Sequence, residues 1–115
     1  MNKYLLLKLT DTQVVKVLSG FSLESVLSGE YWRITQSKFE GATKALAVFR
    51  GHILGEYTIA PDVIVDSKTG KSKFLLEPIS VTDYVGQKIH YPTSNRASVV
   101  TIEKLENIIL KGENQ

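Results

Sequence analysis

Two apolar, β-branched runs separated by a single glycine-centred turn constrain this chain more than any other feature. Ala45-Leu46-Ala47-Val48-Phe49 reads as one strand, Arg50-Gly51-His52 as a turn, and Ile53-Leu54-Gly55-Glu56-Tyr57-Thr58-Ile59 as the return strand. Gly51 suits the positive φ of a tight turn, and Gly55 marks either a bulge or a close backbone approach. Strict alternation in the return strand puts Ile53, Gly55, Tyr57 and Ile59 on one face, with Leu54, Glu56 and Thr58 on the other. A hairpin alone is marginal in water, so further strands must flank it.

The rest of the sequence supplies them. Lys3–Leu9 is short and apolar and reads as a buried strand. Thr10-Asp11-Thr12 offers side-chain oxygens to the free amides of a first helical turn, Val14, Val15, Val17 and Leu18 follow at helical spacing, and Gly20 is a stop. Ser22 caps a short helix over Leu23–Leu27 that ends at Gly29. Tyr31-Trp32-Arg33-Ile34 reads as a strand with alternating sides, so Trp32 and Ile34 share one side and Tyr31 and Arg33 the other. Thr35–Thr43 is a loop or a weak helix that carries Phe39 inward.

Beyond the hairpin, Asp62–Asp66 reads as a short edge strand and Ser67–Lys71 as a mobile, Gly- and Lys-containing tip. Phe74–Ile79 is a strand with Pro78 at an edge or bend, and Val81–Gly86 is one helical turn. Tyr91–Arg96 is a loop, Ala97–Ile102 a strand and Glu103–Leu110 a closing helix. The expectation is a single domain over residues 1–115 of α+β class, built on a small curved antiparallel or mixed sheet with short flanking helices. Barrel closure is one way such a sheet hides its edges.

Composition narrows the function classes. The chain is 43% hydrophobic and 23% charged, enough apolar material to order the backbone. It has no cysteine, which excludes disulfides, thiolate metal sites, iron–sulfur clusters and a cysteine nucleophile. Two histidines, His52 and His90, lie far apart in sequence, so no metal site and no cofactor is expected. The Gly70-Lys71-Ser72 triplet is not a phosphate loop, because position 65 is Val and no long helix follows. The apolar run Tyr4–Leu7 is interrupted by Lys8 and too short for an export signal, which points to a cytoplasmic protein with no membrane partner. The polar segment Lys111–Gln115 reads as a chain end.

Lys and Arg number 14 against 12 Asp and Glu, for a net charge of +2. So small an excess is either an ordinary solvated surface or one basic face.

The run Leu27-Ser28-Gly29-Glu30-Tyr31-Trp32-Arg33-Ile34, the text AVFRGHILGEYTI over the hairpin, then YVGQKIHY and SNRASVVTI, together resemble small PUA-like domains of the PUA, ASCH and EVE group. The resemblance spans Leu27 to Ile102. Two departures stand out: the ASCH lysine is missing around Gly20-Phe21-Ser22, and the late Asn-Pro of the pattern is Asn95-Arg96 here. The resemblance implies a PUA-like pseudobarrel with a cleft for nucleic acid or a nucleotide, including a modified or flipped base. Such a cleft needs a flat ring and groups for phosphate or base edges.

The residues available for that role are Trp32, Arg33, Arg50, His52, Tyr57, Lys88, Tyr91, Ser94, Asn95 and Arg96. Each has a plainer reading. Trp32 is a stacking platform or a core residue; Arg50 and His52 are contacts or mere turn residues; the 91–96 loop is a site or a turn bonded to itself. A non-catalytic binding module is the first expectation. The second is a protein-interaction factor, such as a phage or mobile-element inhibitor, acting through a sheet edge or the 91–96 loop. The third is a small ASCH-like amidohydrolase using Lys44, Thr58 and Glu56, which carries no recognisable catalytic motif.

Overall fold

The computed structural model describes residues 3–92 and 95–110 of the 115. Along the chain run β1 (Lys3–Lys8), α1 (Asp11–Leu18), α2 (Leu23–Ser28), α3 (Gln36–Phe39), β2 (Ala42–Phe49), β3 (His52–Ile59), β4 (Ile64–Val65), β5 (Ser72–Lys73), β6 (Leu76–Pro78), β7 (Lys88–Ile89), β8 (Ala97–Thr101), α4 (Ile102–Ile108) and β9 (Ile109–Leu110). The class is α+β: a strongly curled mixed sheet forms a half-barrel, with a few short helices about it. Its order is β8-β1-β2-β3-β7-β9, and β6 also pairs with β3; β4 and β5 form a separate two-stranded ribbon. No described helix is long and apolar enough to cross a membrane.

β1 sets the frame. It runs parallel to β2 and antiparallel to β8, and Tyr4, Leu5, Leu6 and Leu7 are all buried. Burial on both faces explains why this strand reads as a continuous apolar run rather than an alternating one. Leu5 and Leu7 join Trp32, Ile34, Phe39, Tyr57 and Phe74 in one cluster. Tyr4 and Leu6 join Ile53, Tyr84, Ile89 and Leu105 in the other.

The β2–β3 hairpin forms as the sequence predicts, with Arg50 (φ 49) and Gly51 (φ 80) as its two left-handed turn residues. His52 already belongs to β3, opposite Phe49. The face assignment of the return strand needs correction. Ala47 lies opposite Gly55 but Val48 lies opposite Ile53, so Leu54 is an extra residue, a β-bulge. The bulge reverses the alternation. Ile53 packs in one cluster and Tyr57 in the other. Gly55 meets both of its expected roles, since a Cβ there would come within 2.8 Å of the Tyr57 ring.

Four other segments differ from expectation. Residues 31–34 are held by a single bridge, Trp32 to Ser72, rather than forming a strand. Only Leu76–Pro78 of the expected Phe74–Ile79 strand pairs, against Ile59–Tyr57. Residues 81–86 form no helical turn. Their amides turn instead to the buried Glu56, whose Oε1 accepts from Asp83 N at 2.9 Å and Tyr84 N at 3.1 Å. The last helix stops at Ile108, and Ile109–Leu110 continue as a strand on β7. The helix starts follow the sequence more closely. Thr10 and Gln13 form a reciprocal capping box on α1, and Ser22 and Thr101 accept from the third amides of α2 and α4.

The close approach at Gly55 yields a direct test. Gly55→Ala forces a methyl group against the Tyr57 ring, and overpacking of this kind costs about 1–3 kcal/mol. Urea unfolding of the variant is expected to show that loss; an unchanged midpoint would mean the ring is free to move aside.

Candidate functional site

The segment 31–35 is held from below. Trp32 N donates to Ser72 O at 2.6 Å and Ser72 N returns a bond to Trp32 O at 2.9 Å. The fully buried Ser72 hydroxyl donates to Ile34 O at 3.0 Å, and the Trp32 indole N–H donates to Leu27 O at 3.1 Å. With Trp32 and Ile34 locked inside, Tyr31 and Arg33 face outward. The next turn, α3, is fixed by Phe39, which packs edge-on against Phe74 at 5.0 Å.

Two hollows adjoin this segment and share Arg33 and Asn95, so they form one groove. The larger, about 600 Å³, lies between Arg33–Thr35, Lys38, the Thr69–Gly70 turn, Lys3 and the length of β8. The smaller is bounded by Tyr31, Trp32, Lys71 and Arg96. The turn over the groove is ordered by Asp66. Its carboxylate accepts from Lys68 N at 2.9 Å and its carbonyl from Gly70 N at 2.8 Å, so this tip is tied rather than loose. The amide of Lys68 holds the Asp66 carboxyl below the usual carboxylate range.

Electrostatically the groove is one-sided. Lys3, Arg33, Lys38, Lys71 and Arg96 line it, and among the described residues no carboxylate does. Glu30 stands beside it, 3.3 Å from Arg96. The Arg96 guanidinium lies over the Trp32 ring, 4.8 Å from its centroid, and donates to Gln13 Oε1 at 2.8 Å. Lys73 sits over the outward Tyr31 ring at 5.6 Å.

Of the residues expected at a site, the groove brings together Trp32, Arg33, Asn95 and Arg96. Ser94 lies outside the described residues. Trp32 is not an open platform: it is 1% exposed, part of the core, and covered by Arg96. Tyr57 is likewise corrected to a core residue, 5% exposed. Burial above all, with the Glu24 carboxylate adding, pushes its hydroxyl up to about 12.

Arg50, His52 and Lys88 gather at the far end of the hairpin and do not line the groove. Arg50 pairs with Asp11 at 3.2 Å, and His52 lies opposite Lys88. Tyr91 is half-buried, with Lys8 and Lys104 each 5.9 Å from its ring. Lys44, Thr58 and Glu56 share a sheet face, but Glu56 holds the 83–84 amides and Thr58 Oγ1 donates to Glu77 O.

Sequence reasoning missed the convergence of Lys3, Lys38 and Lys71, and the strand edge between them. No protein-family model matches the chain, and neither a curated protein nor a solved structure shows significant similarity to it.

Two measurements test this geometry. Arg96→Ala uncovers the indole ring, so Trp32 emission is expected to shift to the red and become open to iodide quenching; unchanged emission would contradict the stacked guanidinium. Tyr57 folds with its hydroxyl protonated and its pKa raised from about 10 to about 12. Its contribution to stability is therefore complete below pH ~10 and is lost as pH climbs through ~12. Tyr57→Phe is expected to move the alkaline unfolding midpoint upward, read by circular dichroism against pH.

Proposed function

We propose that this chain is a non-catalytic binding module that takes nucleic acid or a nucleotide in the groove between β8, α3 and the 66–71 turn. The observation that carries the reading is the charge of the lining: five cationic side chains and no carboxylate among the described residues. A polyanion is the ligand such a surface attracts, through release of its condensed counterions. The outward Tyr31 ring and the Arg96 guanidinium provide flat surfaces for a base. Asn95 and the hydroxyls of Thr35, Thr69 and Ser98 add neutral polar contacts.

The resemblance to PUA-like domains supports the same reading, with the curled sheet as the pseudobarrel of that group and an intracellular setting. In this reading Trp32 acts from beneath, as the surface on which Arg96 rests. The hairpin-end residues Arg50, His52 and Lys88 are left to the solvated surface.

The test is anisotropy of labelled short oligonucleotides at low and high salt. Affinity is expected to fall with salt, with a slope of about 0.7 per phosphate contact on a single strand. Arg33→Ala combined with Lys38→Ala should lower that slope by roughly 1–1.5, while Lys88→Ala leaves it unchanged. Equal losses from both variants would remove the groove as the site, and no binding by the parent protein would remove the reading.

A further inference from the structure

The end of the sheet adds a feature that the charged side chains do not. β8 pairs with β1 and with no other strand among the described residues. In an antiparallel pair, opposed residues alternate between those that exchange both backbone hydrogen bonds and those that exchange none. Lys8 N donates to Arg96 O at 2.7 Å, which continues the register from Leu7 opposite Ala97. The bonded residues of this strand are therefore Arg96, Ser98 and Val100. Ala97 and Val99 turn both their N–H and their C=O away from β1.

The groove lies on that outward side. Side chains of successive strand residues point to opposite sheet faces, yet Ala97, Ser98 and Val99 all line the larger hollow. A hollow touched by all of them opens along the strand's edge and not over one face. Among the described residues, no hydrogen bond covers the outward groups of Ala97 and Val99.

Resting on the reading above, we infer that the ligand is an unpaired strand, and that the main chain of Ala97 and Val99 hydrogen-bonds to the edge of one of its bases. A strand residue facing outward offers a donor and an acceptor side by side. The Watson–Crick edge of every base offers the complement, and that edge is free in a single strand and occupied in a duplex. Lys3, Arg33 and Lys38 line the same hollow and meet the phosphates on either side. An added peptide strand fits less well. The outward run is short: Ala97, Val99 and the N–H of Thr101, whose residue already turns into α4 as its N-cap. Few ladder bonds would form, and the cationic lining would go unmatched by a neutral backbone.

Residue-resolved amide exchange by NMR tests the inference on the intact protein. In the free protein Ala97 and Val99 are expected to exchange faster than Ser98 and Val100, whose amides bond to β1. Saturating short oligodeoxyadenylate or oligodeoxycytidylate should slow Ala97 and Val99 on the order of tenfold or more, as for newly formed hydrogen bonds. Val99→Pro deletes an outward N–H without touching the β1 ladder, a placement that edge strands tolerate. It should weaken single-strand binding severalfold while leaving the Ser98 and Val100 amides protected.

Binding with unchanged exchange at Ala97 and Val99, or equal affinity for duplex, overturns the inference and leaves the groove reading standing. No binding of any oligonucleotide overturns the reading itself. Slowed exchange with an acidic peptide and none with oligonucleotides would overturn both, and assign the edge to a protein partner.

Discussion

The burial of β1 on both faces and both edges is the constraint from which the rest of the structure follows. Tyr4, Leu5, Leu6 and Leu7 are enclosed by clusters above and below and by β2 and β8 at the sides. Burying a leucine stabilises the fold by about 1.5–3 kcal/mol, and of the two strands that bury four consecutive side chains, β1 and its neighbour β2, β1 carries the larger ones. A strand so enclosed must have neighbours on both sides, and in this topology one of them, β8, is the last in the order. The groove exists because the core is centred one strand from the end of the sheet. β8 spends its inner hydrogen bonds on β1 and keeps its outer ones.

The bulge at Leu54 does the second essential thing. Without it, Ile53 and Tyr57 would lie on the same face, and Glu56 would turn the other way. With it, Tyr57 closes over Gly55 into one cluster while Ile53 enters the other. Glu56 then reaches the 83–84 amides and fastens the loop that covers the second cluster. The hairpin itself was legible, because apolar runs around a glycine turn have few other uses. The faces were not, because alternation assumes an unbroken ladder and one extra residue inverts everything beyond it. Gly55 was the available signal. The 81–86 loop misled for a related reason: Thr82 and Asp83 look like a helix cap, yet the amides that a helix would use are already taken by a carboxylate from a distant strand.

The site was legible where it depends on local alternation and illegible where it depends on topology. That Trp32 and Ile34 point one way and Tyr31 and Arg33 the other follows from adjacent residue types, and the structure places them so. That Lys3, Lys38 and Lys71 converge on Arg33 does not. They come from the start of β1, from α3 and from the end of the 66–71 turn, and the curl of the sheet brings them together. The same curl carries Arg50, His52 and Lys88 elsewhere, although in sequence they look no less suitable. An unpaired strand edge is still less visible, since whether a strand is central or terminal is a property of the whole order and not of its residues.

Arg96 shows how core and groove are joined. Its ion pair with Glu30 is solvent-exposed, with side chains 43% and 37% accessible, and pairs of that kind contribute little. The indole face beneath it and the Gln13 carbonyl oxygen hold the guanidinium more firmly, since a partly desolvated cation–π contact is worth about 0.5–2 kcal/mol. Gln13 is itself buried, and its Oε1 also accepts from Thr10 N at 2.8 Å as half of the α1 capping box. That double use fixes the amide orientation and leaves Nε2 buried with no partner among the described residues. An unsatisfied donor costs about 1–3 kcal/mol, and the flip that would relieve it would turn an N–H toward both Thr10 N and Arg96. The start of α1, the wall of the groove and the cover over Trp32 therefore depend on one carbonyl oxygen. A phosphate that drew Arg96 toward the groove would leave the helix cap intact and bare the tryptophan ring, so binding of the proposed ligand at this wall would be coupled to the exposure of the core residue beneath it.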